Sequence, residues 1–163
     1  MVKNIIMSLL CICLLTIFYS CKSISTGETK TAGVQEGVHQ MADAIVRDLH
    51  NDGPIVWLKY FSNSKQFFMI SNGMLVFPNI DSASAFVPRL AKQLKRIEMK
   101  WENIRVDSLT PDLGIMAASF HEILISATGA EETSSGYFTG VVENTPTGWN
   151  LRDANWSIAS PTH

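Results

Sequence analysis

Two pairs of residues carry most of the acid–base chemistry this chain can offer. His121 and Glu122 are adjacent within an extended segment, Leu113 to Ser126. Neighbouring residues of a strand point to opposite faces, so these two cannot form a dyad. His121 shares its face with Ala117, Ser119, Ile123 and Ile125; Glu122 shares the other with Met116, Ala118, Phe120 and Leu124. The sequence leaves open which face is covered. Whichever side chain looks inward is the acid–base candidate, with Asp153 or Tyr60 as a partner. Near the C-terminus, alternation places Trp149, Leu151, Asp153, Asn155 and Ser157 on one face, so Asp153 and Asn155 are expected to look into the same space. An amide cannot transfer a proton near neutral pH, and Asp153 can do so only if burial raises its pKa. The competing reading makes all of these hydrogen-bonding residues at a sheet end, on an outer face or at a dimer interface.

Other chemistries lack their residues. His39, His50 and His163 show neither metal-ligand spacing nor the partners of a catalytic triad. There is no Gly-rich phosphate loop, nucleophile elbow or Cys/His ligand set, so no metal or cofactor is expected. The aromatic residues form a larger set. Trp57, Tyr60, Phe61, Phe67, Phe77, Trp101, Phe120, Phe138 and Trp156 come from nearly every element, with Met69, Met74, Met99 and Met116 among them. Singly each suits an ordinary core; together they suit a site for an apolar ligand.

These residues must be held by helices followed by strands. Val38, Met41, Ile45 and Leu49 recur at steps of three and four, predicting an amphipathic helix from Val34 that Asn51-Asp52-Gly53-Pro54 ends. Pro54 suits the first turn of a second short helix, Ile55 to Phe61. Phe67 to Ser71 and Met74 to Phe77 flank Asn72-Gly73 and predict a hairpin. A third helix is expected from Asp81 or Ser84 to Ile97, burying Phe86, Leu90, Leu94 and Ile97, with Pro88 in its first turn or at a kink. Lys92, Lys95, Arg96 and Lys100 read as a solvated helix face. Four extended segments follow: Glu98 to Ser108, Leu113 to Ser126, Glu132 to Asn144 and Trp149 to Ala159, separated by turn-forming tripeptides. The expected class is α+β, three helices on an antiparallel meander of four long strands plus the hairpin.

The first residues read as an address. Met1 and Lys3 precede an apolar run from Ile5 to Tyr19, which suits a signal peptide's ~7–15-residue core and falls short of the ~20 residues of a membrane span. Leu15-Thr16-Ile17-Phe18-Tyr19-Ser20-Cys21 resembles the loose lipobox of Bacteroidetes-type lipoproteins, which implies cleavage before Cys21 and lipid on its thiol. Cys11 and Cys13 leave with the signal, so Cys21 is the one cysteine of the mature chain. Removing 20 of the 163 residues leaves 143, enough for one domain. Lys3 goes too, leaving 12 basic against 15 acidic side chains, scattered, which does not suit a nucleic-acid partner. Residues 21 to 32 read as a flexible tether, and 33 to 160 as the domain. By analogy with lipoproteins that an acidic run sends to the cell surface, the lack of such a run after Cys21 favours the periplasmic side, and the expected location is the outer membrane facing the periplasm.

The order of elements, with Trp101 after the third helix, Leu109-Thr110-Pro111-Asp112 before the next strand, Gly136-Tyr137-Phe138-Thr139 in the third long strand and Gly148-Trp149 leading to Trp156-Ser157, resembles the SnoaL-like branch of the nuclear transport factor 2-like superfamily. The resemblance implies a bent sheet closed by helices into a cone with an apolar pocket at one end. Ketosteroid isomerases, dehydratases and polyketide cyclases of that superfamily place acid–base groups in the pocket, and other members only bind. Where many SnoaL-like sequences carry two histidines in the last strand, this chain has Asp153 and Asn155. The leading expectation is therefore a lipid-anchored protein that binds a small apolar or amphipathic molecule. The alternatives are an isomerase, dehydratase or cyclase using His121, Glu122 or Asp153, and an interaction module acting as a homodimer.

Overall fold

The computed structural model describes residues 26–159 of the protein, with side chains from residue 31. The segment read as a signal peptide, with Cys21, lies outside the described residues. The first helix, α1 (Thr26–Asp52), begins ahead of its first core contact. Val34, Val38, Met41, Ala42, Ile45 and Leu49 are all buried along one stripe, and from that packed stretch the helix extends back through positions expected in the tether. Propagating a helix costs little once a packed stretch has nucleated it. Gly53 ends α1 with φ 73° and ψ −164°, a conformation open to glycine. Pro54 then opens a 3₁₀ turn (Pro54–Val56) that runs into the short helix α2 (Trp57–Tyr60).

Asn72 (φ 49°) and Gly73 (φ 77°) make the tight turn between β1 (Phe68–Ser71) and β2 (Met74–Phe77). Helix α3 (Ile80–Gln93) starts on a capping box, Asn79 Oδ1 accepting from the Ser82 amide at 2.9 Å. It ends earlier than its apolar spacing implies, because Leu94 already pairs with Ser126 as the first residue of β3 (Leu94–Thr110). Ile97, Arg96 and Lys100 therefore belong to a strand, and the buried face of α3 is Ala83 and Val87, while Phe86 is 40% exposed. Pro88 lies inside the helix, not in its first turn. The Ser84 carbonyl it leaves unpaired belongs to an exposed residue, where water can take the bond.

The remaining strands are β4 (Leu113–Ser126), β5 (Glu131–Thr145), β6 (Gly148–Leu151) and β7 (Asp153–Ile158). They form one seven-stranded sheet in the order β2-β1-β7-β5-β4-β3, with β6 also on β5. The sheet is mixed, since β1 runs parallel to β7, with Met69 beside Ala154 and Ser71 beside Trp156. The hairpin thus extends the main sheet instead of standing apart from it. A bulge at Asn103 (φ 53°) breaks the β3–β4 register between Glu102 and Arg105 and bends the sheet. The helices lie on its inner face, which carries Met99, Met116, Ala118, Phe120 and Phe138 into the core.

The expected last strand is two strands. Val142 pairs with Leu151, yet Thr139 pairs with Asn155, so the chain carries one extra residue opposite β5 around Arg152. Side chains alternate with a period of two, and a slip of one reverses the faces. Ala154 and Trp156 therefore turn inward, while Asn155 is exposed on the outer face.

Candidate functional site

The cavity is built where α3, the hairpin and one end of the curled sheet meet. It has a volume of about 220 Å³. Helix α3 contributes Phe86, Val87 and Leu90, the start of β3 gives Leu94 and Ile97, and the hairpin gives Met69, Ser71, Val76 and Phe77. Trp57 enters from α2 and Phe61 from the residue that follows it, Phe120, Glu122 and Leu124 from β4, and Trp156 and Ile158 from β7. The rim is apolar, with Phe86, Val76 and Ile158 each close to 40% exposed.

The aromatic residues interlock. Trp57 stacks on Phe61 at 5.8 Å and meets Trp156 edge-on at 5.7 Å, and Phe120 also meets Trp156 edge-on at 4.9 Å. Such offset and edge-to-face pairs are favoured by ring quadrupoles, so the wall has a defined shape. Behind it Trp101 stacks on Trp156 at 5.6 Å and Phe138 packs at 4.8 Å. Of the residues expected to touch a ligand, Trp57, Phe61, Phe77, Phe120 and Trp156 line the cavity. Trp101 and Phe138 support the wall from behind. Tyr60 turns away, its hydroxyl donating to Asp48 at 2.7 Å, and Asn155 is on the opposite face of the sheet.

The three acid–base candidates are separated. His121 is exposed on the outer face, opposite Lys100 and Ser135. Asp153 stands at the bulge, where its carboxylate accepts the Val141 amide at 3.0 Å. Burial raises its pKa and that amide opposes the rise, so Asp153 fastens the strand switch outside the cavity. Glu122 alone lines the cavity. Ser134 on β5 donates its hydroxyl to Glu122 Oε1 at 2.6 Å. Desolvation raises the Glu122 pKa; the Ser134 bond lowers it, the charge of Glu132 adds to the rise and His121 counters it. Among the described residues, the apolar wall is interrupted only by Ser71 and Glu122.

Ser71, Ser134 and most of the aliphatic wall escape a reading of the sequence. Ser134 meets Glu122 through the β4–β5 register, which no local motif encodes. Among the described residues no group of three or more His, Cys, Asp and Glu could hold a metal ion.

No family model matches the sequence, and no curated protein matches it either. Solved structures do. A nuclear transport factor 2-like superfamily protein from Salmonella enterica superposes with a TM-score of 0.60 at 14% identity, covering 85% of this chain and 95% of that one. A putative aromatic ring hydroxylase from Novosphingobium aromaticivorans gives 0.66 at 14% identity, over 78% of this chain and 90% of its own. A putative scytalone dehydratase from the same organism gives 0.64 at 9% identity, over 78% and 84%. At these identities the likeness is one of fold. The chain has the cone-shaped α+β fold of the nuclear transport factor 2-like superfamily.

Proposed function

We propose that this protein binds a small apolar or amphipathic molecule in the cavity without transforming it, and that it works in the bacterial cell envelope, held to the outer membrane by lipid on Cys21. The observation that carries the binding reading is the cavity itself, an aromatic and aliphatic wall broken among the described residues only by Ser71 and Glu122. Ligand sites are mostly apolar with a few polar groups that fix orientation. Its volume of about 220 Å³ lies between the ~150 Å³ that holds benzene and the ~300 Å³ where drug-sized sites begin, which suits a ligand of one or two rings. Glu122 has no second acid or base beside it in the lining, which weighs against proton shuttling. Thermal unfolding and native mass spectrometry across a library of small hydrophobic molecules test the reading. At least one compound should raise Tm and be carried at one per chain; a library without effect in either measurement would remove it.

A second reading keeps Glu122 as the general acid or base of an isomerase, dehydratase or cyclase in the SnoaL-like manner. It is favoured by the raised pKa of a carboxyl inside a cavity. Turnover of any candidate substrate, lost in Glu122→Gln, would establish it. The envelope assignment rests on the apolar run Ile5 to Tyr19 and the Ser20-Cys21 junction. Cys21→Ser should move the protein out of the membrane fraction. The outer sheet face, where Tyr137 is 69% exposed, supports a homodimer; sedimentation giving only monomer would count against it.

A further inference from the structure

We propose that the ligand is an organic cation, a small aryl or alkyl amine whose ammonium group pairs with Glu122 while its apolar body lies against Trp57, Phe61, Phe120 and Trp156. The inference rests on the cavity-binding reading and specifies its chemistry. Among the described residues, Glu122 is the one ionisable side chain in the lining. Its Oε1 takes the Ser134 hydroxyl, and its Oε2 has no hydrogen-bond partner among the described residues. None of the described ion pairs includes it. A carboxylate held against apolar walls is costly unless it is paired, and no described residue makes an ion pair with it.

The surroundings select the sign of the missing partner. From β3 and α3 the neighbouring lining groups are Ile97, Leu94 and Leu90, none of them charged. On β5, Glu132 acts on Glu122 as a second negative charge. His121, next to Glu122 in sequence, faces the other side of the sheet and offsets part of that charge. The end of the cavity is therefore negative, and it disfavours carboxylate or phosphate ligands. An ammonium entering here gives up water, and two features replace it. The free Oε2 offers a charge-assisted hydrogen bond, and the aromatic rings offer negative faces, tryptophan being the strongest of the side chains that attract cations this way. A neutral ketone or alcohol would use one hydrogen bond and leave the rest of that field unused.

The pairing also couples binding to pH. Burial favours the neutral form of Glu122 in the empty cavity, and an ammonium favours the ionised form, so amine binding below the titration range of Glu122 must release a proton. Amine affinity then rises with pH by up to about tenfold per unit until Glu122 is ionised in the empty protein.

Calorimetric titration of the purified protein with three probes of one shape tests this: 1-naphthylmethylamine, 1-naphthylmethanol and 1-naphthoate. At about pH 8 the amine should bind at least about tenfold more tightly than the alcohol, about 1.4 kcal/mol, and the naphthoate most weakly. Glu122→Gln should bring the amine-to-alcohol ratio close to one. In the wild type, lowering the pH to about 4, below the ordinary carboxylate value of 4.5, should weaken the amine and not the alcohol, which keeps the test decisive if the variant folds poorly. Equal binding of amine and alcohol, or a ratio unchanged by Glu122→Gln, would overturn the cation inference and leave the binding cavity standing. Failure of all three probes at millimolar concentration would remove the binding reading itself.

Discussion

Replacing Glu122 by Gln should shift the balance of stability between the two proteins toward the variant as pH rises from acid to neutral. Glu122 is partly buried in an apolar wall, with one neutral hydrogen bond from Ser134 and no ion pair among the described residues. Mutational data put the cost of such a group at about 1–3 kcal/mol, and partial exposure places Glu122 near the lower end, about 1 kcal/mol. Gln preserves size and an acceptor for Ser134, so the change isolates the charge. The folded-state pKa is raised above the ordinary 4.5. Below that value both folded and unfolded chains carry the proton, and wild type suffers no penalty. As pH rises through it the unfolded chain ionises first and stability falls, until the folded carboxyl ionises as well. The amide of Gln adds its own cost at every pH, so the informative quantity is how the difference between the two proteins changes with pH. Urea unfolding at about pH 4 and about pH 8 should show that difference moving in favour of Glu122→Gln by about 1 kcal/mol, or roughly 4 °C in Tm. A difference that stays constant, or that moves in favour of wild type at the higher pH, would refute the placement of Glu122 in a desolvated wall.

Three further outcomes follow from other parts of the fold. Phe120→Ala removes a ring that is 3% exposed and packed edge-on against Trp156, and should cost about 3–5 kcal/mol in urea unfolding. Asp48 accepts from Lys59 at 2.6 Å and from Tyr60 at 2.7 Å, and these bonds, Lys59 first, lower its pKa from 3.8 to about 2. Its contribution is present above the ordinary range and lost as pH falls through about 2. Asp48→Asn should accordingly cost about 1–2 kcal/mol at pH 7 and progressively less in acid, read from paired unfolding curves. His121→Ala, on the outer face, should leave the Kd of any cavity ligand within about twofold and stability within about 0.5 kcal/mol.

Which parts of this structure can be read from the chain follows from how local their causes are. The stripe from Val34 to Leu49 and the Asn72-Gly73 turn are encoded within a few residues, and both stand as expected. The end of α3 is not local. Leu90, Leu94 and Ile97 fit a helical spacing equally well, and the choice is made by Leu94 and Ile97 finding Ser126 and Leu124 across β4. The slip at Arg152 is hidden for the same reason. No glycine or proline within the slipped segment itself marks it, and it is held by Asp153 reaching the Val141 amide and by the Arg152 amide bonding the Val141 carbonyl at 2.8 Å. That single residue of slip carries Asn155 out of the cavity and Trp156 into it. Glu122 was legible as one of two alternatives. Only the register that places it opposite Ser134, beneath α3, decides between it and His121.

The binding claim is tested most directly at the tryptophans, because the four of them report on different places. Trp57 and Trp156 line the cavity, Trp101 stacks behind Trp156, and Trp149 packs outside it on Gly37 of α1. Indole N–H resonances followed by nuclear magnetic resonance during titration with small apolar and amphipathic compounds should shift at Trp57 and Trp156, less at Trp101, and not at Trp149. A library in which no compound moves Trp57 or Trp156, or in which Trp149 responds while they stay still, would contradict the account.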